Sequence, residues 1–152
     1  MRGVPAPALL LGLAGLLPFL IGAALLVLPY GTLPLGGLFE SSPAGGHLIL
    51  ERYGAAILAF MGGCLWGFAA KAGQATLFWL GLSVVPGLWA FFALGPTPML
   101  SAQNLIAGYI VLLIIDAIFY WRRIAPGWWL RLRIPLTVVV AACLALGSTP
   151  WR

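Results

Sequence analysis

Apolar residues in this chain fall into long unbroken runs, separated by short breaks that carry most of the Gly, Pro and charged positions. A bilayer core about 30 Å thick is crossed by roughly 20 helical residues. Five runs approach that length, at about 7–30, 53–70, 76–94, 101–121 and 134–150. The pattern predicts an all-α fold, a polytopic membrane helix bundle with five transmembrane helices, built as a single integral membrane domain over residues 1–152. The first run could be taken for a signal peptide, because Arg2 precedes a Leu-rich stretch containing Gly22, Ala23 and Ala24. It continues apolar through Leu25 to Leu28, however, and is read as a helix. The longest break, residues 31–52, holds Gly36, Gly37, Ser41, Ser42, Pro43, Gly45 and Gly46 and is expected to be an external loop.

Composition sharpens this picture. The chain is 62% hydrophobic and 7% charged, against about 25% charged in an ordinary soluble domain, so a soluble fold would lack the charges to cover its surface. The net charge of +5 comes from only eight Lys and Arg, too few and too scattered to track a phosphate backbone. Nucleic acid is therefore excluded as a partner, and anionic phospholipid in the lipid bilayer is the expected one. Cys64 and Cys143 lie in apolar runs with no ligand-spaced neighbours, so neither a metal site nor a disulfide is expected. One histidine, His47, cannot supply a bis-histidine haem site, and no cofactor is expected.

Orientation follows from the basic residues, which stay on the cytoplasmic side of helix ends. Arg2, Lys71, Arg122, Arg123, Arg131 and Arg133 fall on the side of the N-terminus, and only Arg52 and Arg152 on the other. The N-terminus is expected in the cytoplasm and the C-terminus outside. Tyr30, Tyr53, Trp79, Trp121, Trp128, Trp129 and Trp151 lie at or near the expected helix ends, as interfacial rings do.

Few residues offer chemistry. Ala55, Ala59, Gly63 and Gly67 form a stripe of small residues on the second helix, where another helix, of this bundle or of a partner, can approach closely. Glu51 and Arg52, with His47 a turn earlier, form the one cluster of acid, base and imidazole, at the outer helix start. Asp116 is the acidic residue inside a span and a functional candidate on that ground; an ion pair with Lys71 or an Arg of the following loop is the structural alternative. Ser83 and Thr137 are expected to bond to their own helix backbones. Pro18 and Pro86 interrupt the first and third helices and could frame a cavity. The stretch RRIAPGWWLRLR, residues 122–133, is expected to lie flat on the cytoplasmic leaflet. Trp128 and Trp129 would anchor it, with Arg122, Arg123, Arg131 and Arg133 meeting lipid phosphates or an acidic partner.

GLLPF at 15–19, YGAAILAFMGGCLWG at 53–67, SVVPGL at 83–88, Asp116 and APGWWLRLRIPLT at 125–137 together resemble the domain of unknown function 3429 family, a transmembrane protein 69-like group. The resemblance spans nearly the whole chain, departing at Trp129, where the family pattern has Tyr. It implies an energy-transducing membrane, here a bacterial inner membrane crossed several times. It brings no reaction and no catalytic residues.

The residues and the resemblance together favour a small non-enzymatic accessory or assembly subunit of a larger membrane complex, a respiratory one being the class implied, with other membrane protein subunits as partners. The alternative is a small transporter or lipid- or quinone-handling protein. An enzyme built on Glu51 and His47 ranks last, for want of a nucleophile or metal. The topology predicts that a C-terminal alkaline phosphatase fusion is active and a C-terminal green fluorescent fusion dark; the reverse pair of results would invert the orientation.

Overall fold

A computed structural model describes residues 3–28 and 42–149. Its elements are α1 (Ala6–Ala14), α2 (Leu17–Val27), α3 (Pro43–Lys71), α4 (Leu77–Ala93), α5 (Pro98–Trp121) and α6 (Trp129–Gly147). Arg2, Tyr30, Trp151, Arg152 and the part of the expected external loop at 31–41 lie outside the described residues. Four helical stretches are long and apolar enough to cross a membrane: Ala6–Val27, α3, α5 and α6. The fifth expected span, α4, is apolar but has 17 residues. At about 1.5 Å per residue it reaches about 26 Å, a shortfall that slight thinning of the bilayer accommodates. The chain is a multi-pass helical membrane protein.

Two helix starts differ from those expected. The second span begins at Pro43 rather than near Tyr53, so residues 43–52 are helix and not external loop. Ser42 caps this start, accepting from the Gly45 amide at 3.2 Å, and Pro43 occupies the first turn, where a missing N–H is harmless. Gly45 and Gly46, read as loop residues, are buried in helix, and at Gly46 another backbone lies close: a Cβ there would sit 2.7 Å from the Gly22 carbonyl oxygen. The last span begins at Trp129 rather than near Ile134, so Trp129, Arg131 and Arg133 are helical and not part of a turn lying flat. Pro18 falls in the first turn of α2, just after the helix is interrupted between α1 and α2.

Helix α3 is the centre of the bundle and packs against α2, α4, α5 and α6. Its buried seam comprises Gly46, Leu50, Gly54, Leu58, Gly62, Leu65 and Ala69. Against this seam lie Phe19, Leu105, Tyr109, Leu112 and Leu144, all buried. Outside, large apolar side chains face away from the protein, Leu77 at 91% and Phe91 at 77% exposure. In water that arrangement would be costly; in hydrocarbon it is neutral, and association rests instead on close packing and interhelical hydrogen bonds. Tyr109 donates to the Gly54 carbonyl at 2.9 Å and Tyr53 to the Gly15 carbonyl at 3.1 Å. The Asn104 side chain donates to the Ala93 carbonyl at 3.1 Å, and the Trp89 indole to the Asn104 carbonyl at 2.8 Å, joining α4 to α5.

The expected small-residue stripe is offset from the seam that packs. Ala55 is half-buried against the core, but Ala59, Gly63 and Gly67 are exposed, and a Cβ on Gly63 or Gly67 would meet nothing within 4 Å among the described residues. Gly62, one residue and about 100° away, is where close approach occurs: a Cβ there would lie 2.7 Å from the Ser83 carbonyl oxygen of α4. Gly62→Ala is therefore expected to lower stability by about 1–3 kcal/mol through overpacking. Gly63→Ala should be neutral or gain up to about 1 kcal/mol from helix propensity. Thermal unfolding in detergent measures both.

Candidate functional site: a buried ion pair beside an apolar cavity

Trp129 and Arg133 are one turn apart on α6 and so share a face. Both reach Asp116 of α5. The Arg133 Nε donates to Asp116 Oδ2 at 2.9 Å and the Trp129 indole Nε1 to Oδ1 at 2.6 Å. Asp116 is fully buried, with Arg133 and Trp129 at 5% and 7% exposure. An ionised carboxylate is not tolerated alone at such a place, and both of its oxygens are committed here. The expected structural ion pair is present, with the partner on the following helix rather than in the loop.

The connection that sets this register is tight. After α5 ends at Trp121, Arg123 adopts φ 59°, its amide bonding to the Tyr120 carbonyl while Ile124 bonds to Phe119. These bonds close the helix in the manner usually built on glycine, and α3 ends in the same way at Gly73, φ 68°. The chain can then turn back and start α6 within a few residues. Trp129 packs edge-on against Phe68, with centroids 4.8 Å apart, and Trp79 against Phe119 at 5.3 Å. These contacts bring the ends of α3 and α5 and the starts of α4 and α6 to one end of the bundle.

That end carries Lys71, Arg122, Arg123 and Arg131, all exposed, with Gly3 beside Arg131. Trp128 is half-buried. Of the six residues expected to meet lipid or a partner, Trp129 and Arg133 are therefore removed, because the helix starts early enough to turn them inward. At the other end His47 and Glu51 lie one turn apart on α3, both half-buried, with Arg52 exposed. Among the described residues no group of three or more His, Cys, Asp or Glu could hold a metal ion, and both cysteines are free.

Beside the ion pair is a cavity of about 370 Å³ between α1 and α2 on one side and α3 and α6 on the other. Its walls are hydrocarbon and aromatic, including Phe19, Phe60, Met61 and Leu136, with Cys64, Arg133 and Thr137 among the few polar groups. Two of these are unsatisfied. Arg133 Nη2 and Thr137 Oγ1 are buried and have no hydrogen-bond partner among the described residues. Thr137 was expected to bond to its own helix and does not. Trp129, Arg133 and Thr137 are spaced by four and would have been legible as one face had the start of α6 been visible. That start carries no side-chain cap, only Trp128 in helical conformation.

The family described as "Protein of unknown function (DUF3429)" matches residues 4–149. Transmembrane protein 69 of Xenopus tropicalis is 34% identical over 152 residues, 95% of this chain and 54% of that protein. The chain thus spans about half the length of the curated relative it matches. No solved structure matches the chain significantly.

Removing one partner of a buried pair strands the other. Asp116→Leu is expected to destabilise by about 3–5 kcal/mol, and the double variant Asp116→Leu, Arg133→Met to recover most of that loss. Thermal unfolding of the two single variants and the double variant in detergent gives the coupling; additive losses would mean that the two side chains do not depend on each other.

Proposed function

The chain belongs to the DUF3429 family of proteins of unknown function, and from that premise we propose that it is a non-enzymatic accessory or assembly subunit of a larger complex in the bacterial inner membrane. Respiratory complexes are the class to test first. The observation that carries this reading is the bare face of α3. Glycine costs a helix interior about 1 kcal/mol relative to alanine. Gly62 and Gly46 offset that cost with backbone contact inside the bundle, whereas Gly63 and Gly67 have no neighbour among the described residues and stand beside the exposed Ala59. Small residues on an outward face allow a foreign helix to approach to backbone distance.

Further support comes from the basic end, where Lys71, Arg122, Arg123 and Arg131 are exposed together and suit anionic phospholipid headgroups at about 1 kcal/mol each. The absence of an enzymatic role is argued from the carboxylates. Asp116 is occupied on both oxygens, and Glu51 has one imidazole, His47, a turn away at the helix start. A transporter has less support on the same ground, since of its candidate contacts Glu51, Arg52 and Asp116 the one inside a span, Asp116, is already bonded on both oxygens.

Because nothing within 4 Å contacts a Cβ at Gly63 or Gly67, the double variant Gly63→Leu, Gly67→Leu is expected to keep the stability of the parent. It should lose the membrane subunit that co-purifies and cross-links with the parent from the host membrane. A parent protein that purifies as a monodisperse monomer, with no partner in cross-linking mass spectrometry, would overturn the proposal.

A further inference from the structure

We propose that the cavity between α1, α2, α3 and α6 binds an uncharged amphiphile through a carbonyl oxygen, held by Arg133 Nη2 and Thr137 Oγ1, with its hydrocarbon part against the apolar wall. This site is separate from the bare face of α3 and does not depend on a partner docking there.

Size is the first support. About 370 Å³ falls in the range of small-molecule sites, about 300–1,000 Å³. Leu11 and Phe60, which line it, are 74% and 61% exposed, so its mouth opens sideways where lipid tails lie. A ligand with a long apolar part can enter from the bilayer without crossing water.

Unsatisfied polarity is the second. Arg133 and Thr137 are each only 5% exposed, yet Nη2 and Oγ1 have no partner among the described residues. Buried polar groups are very largely hydrogen-bonded in folded proteins, and in hydrocarbon an unmet one costs several kcal/mol. Arg133 and Thr137 are one turn apart on one face of α6, and both residues are among those that line the cavity. A guanidinium N–H and a hydroxyl can donate to the same acceptor or to two neighbouring ones.

Charge selects the head. The cation of Arg133 is already balanced by Asp116 at 2.9 Å. A carboxylate or phosphate head would introduce a second anion into a site with no further buried cation among the described residues of its lining, whereas a neutral carbonyl accepts the same hydrogen bonds without that penalty. Depth agrees. Arg133 lies one turn, about 6 Å, inside the start of α6 at the Trp-lined, basic end of the bundle. Ester carbonyls and the ring of a prenylated or alkylated quinone are the two sources of such a head in a membrane.

The test is equilibrium binding in detergent, read from the fluorescence of Trp128 and Trp129, which line the cavity, and from native mass spectrometry. The probes are a decyl-substituted benzoquinone, dioctanoylglycerol, dodecane and dodecanoate. At least one carbonyl probe is expected to bind saturably and at least tenfold more tightly than dodecane and dodecanoate; which of the two does so assigns the source. Thr137→Val keeps the shape and removes the hydroxyl, and should weaken that binding about tenfold. Ala8→Phe, at the wall on α1 and on a different helix from Arg133 and Thr137, should abolish it, which keeps the test decisive if Thr137→Val alters folding. Dodecane binding as tightly as both carbonyl probes, dodecanoate binding most tightly, or unchanged affinity in Ala8→Phe would overturn the proposal. None of these readouts involves Gly63 or Gly67, so failure here is distinguishable from failure of the accessory role.

Discussion

A carboxylate in hydrocarbon must be paired, and much of the basic end of this bundle follows from how Asp116 meets that condition. Its two donors stand on the next helix, one turn apart, so α6 must already be helical at Trp129 and must run antiparallel beside α5. The connection between them is left with only a few residues. Closing α5 that quickly places Arg123 in the left-handed region, a conformation that costs a non-glycine residue about 1–2 kcal/mol. A buried pair adds little stability over an apolar core, and its better-attested role is to fix register. Here it sets the rotation of α6, and with it which side chains line the cavity.

The rest of the bundle is set by glycine. With no hydrophobic driving force between helices in lipid, α3 holds its neighbours by letting their backbones come close, at Gly46 toward α2 and at Gly62 toward α4. Tyr109 reaches across at the level of Gly54, donating to its carbonyl. This seam and the outward stripe of Ala59, Gly63 and Gly67 are adjacent rows of one helix. The two rows give α3 a side for its own bundle and a side that the bundle leaves uncovered.

The legible part of the fold was what depends on bulk hydrophobicity. The runs that become α5 and α4 are bounded by residues that cap or break helices, Thr97 with Pro98 and Thr76 before Leu77, and their limits were close to those observed. The glycines misled, because Gly45 and Gly46 look the same in a sequence whether they loosen a loop or admit a neighbouring backbone. Rows 54, 58, 62 and 55, 59, 63 differ by one position, and apolar residues on both sides of a membrane helix leave no polar face to say which row points inward. Arg133 looked interfacial for a related reason. Nothing in WWLRLR marks a helix start, so the spacing that joins Trp129, Arg133 and Thr137 could not be seen. Asp116 was legible as a residue needing an Arg; its position in space beside a cavity was not.

The ion pair and the cavity are linked through the way the carboxylate is shared. Arginine commonly binds a carboxylate with two parallel N–H groups, consuming both oxygens and two of its nitrogens. Here Trp129 takes Oδ1, and Arg133 supplies Nε to Oδ2. The indole therefore stands in for a second guanidinium nitrogen, and Nη2 is left with a proton to give elsewhere. On this view Trp129 does more than complete a buried charge pair: by occupying one oxygen of Asp116 it releases part of Arg133 to the cavity, while Asp116 still neutralises the cation. The outcome is a hydrogen-bond donor without net charge in an apolar site, the property by which such a site discriminates between a neutral carbonyl and an anion.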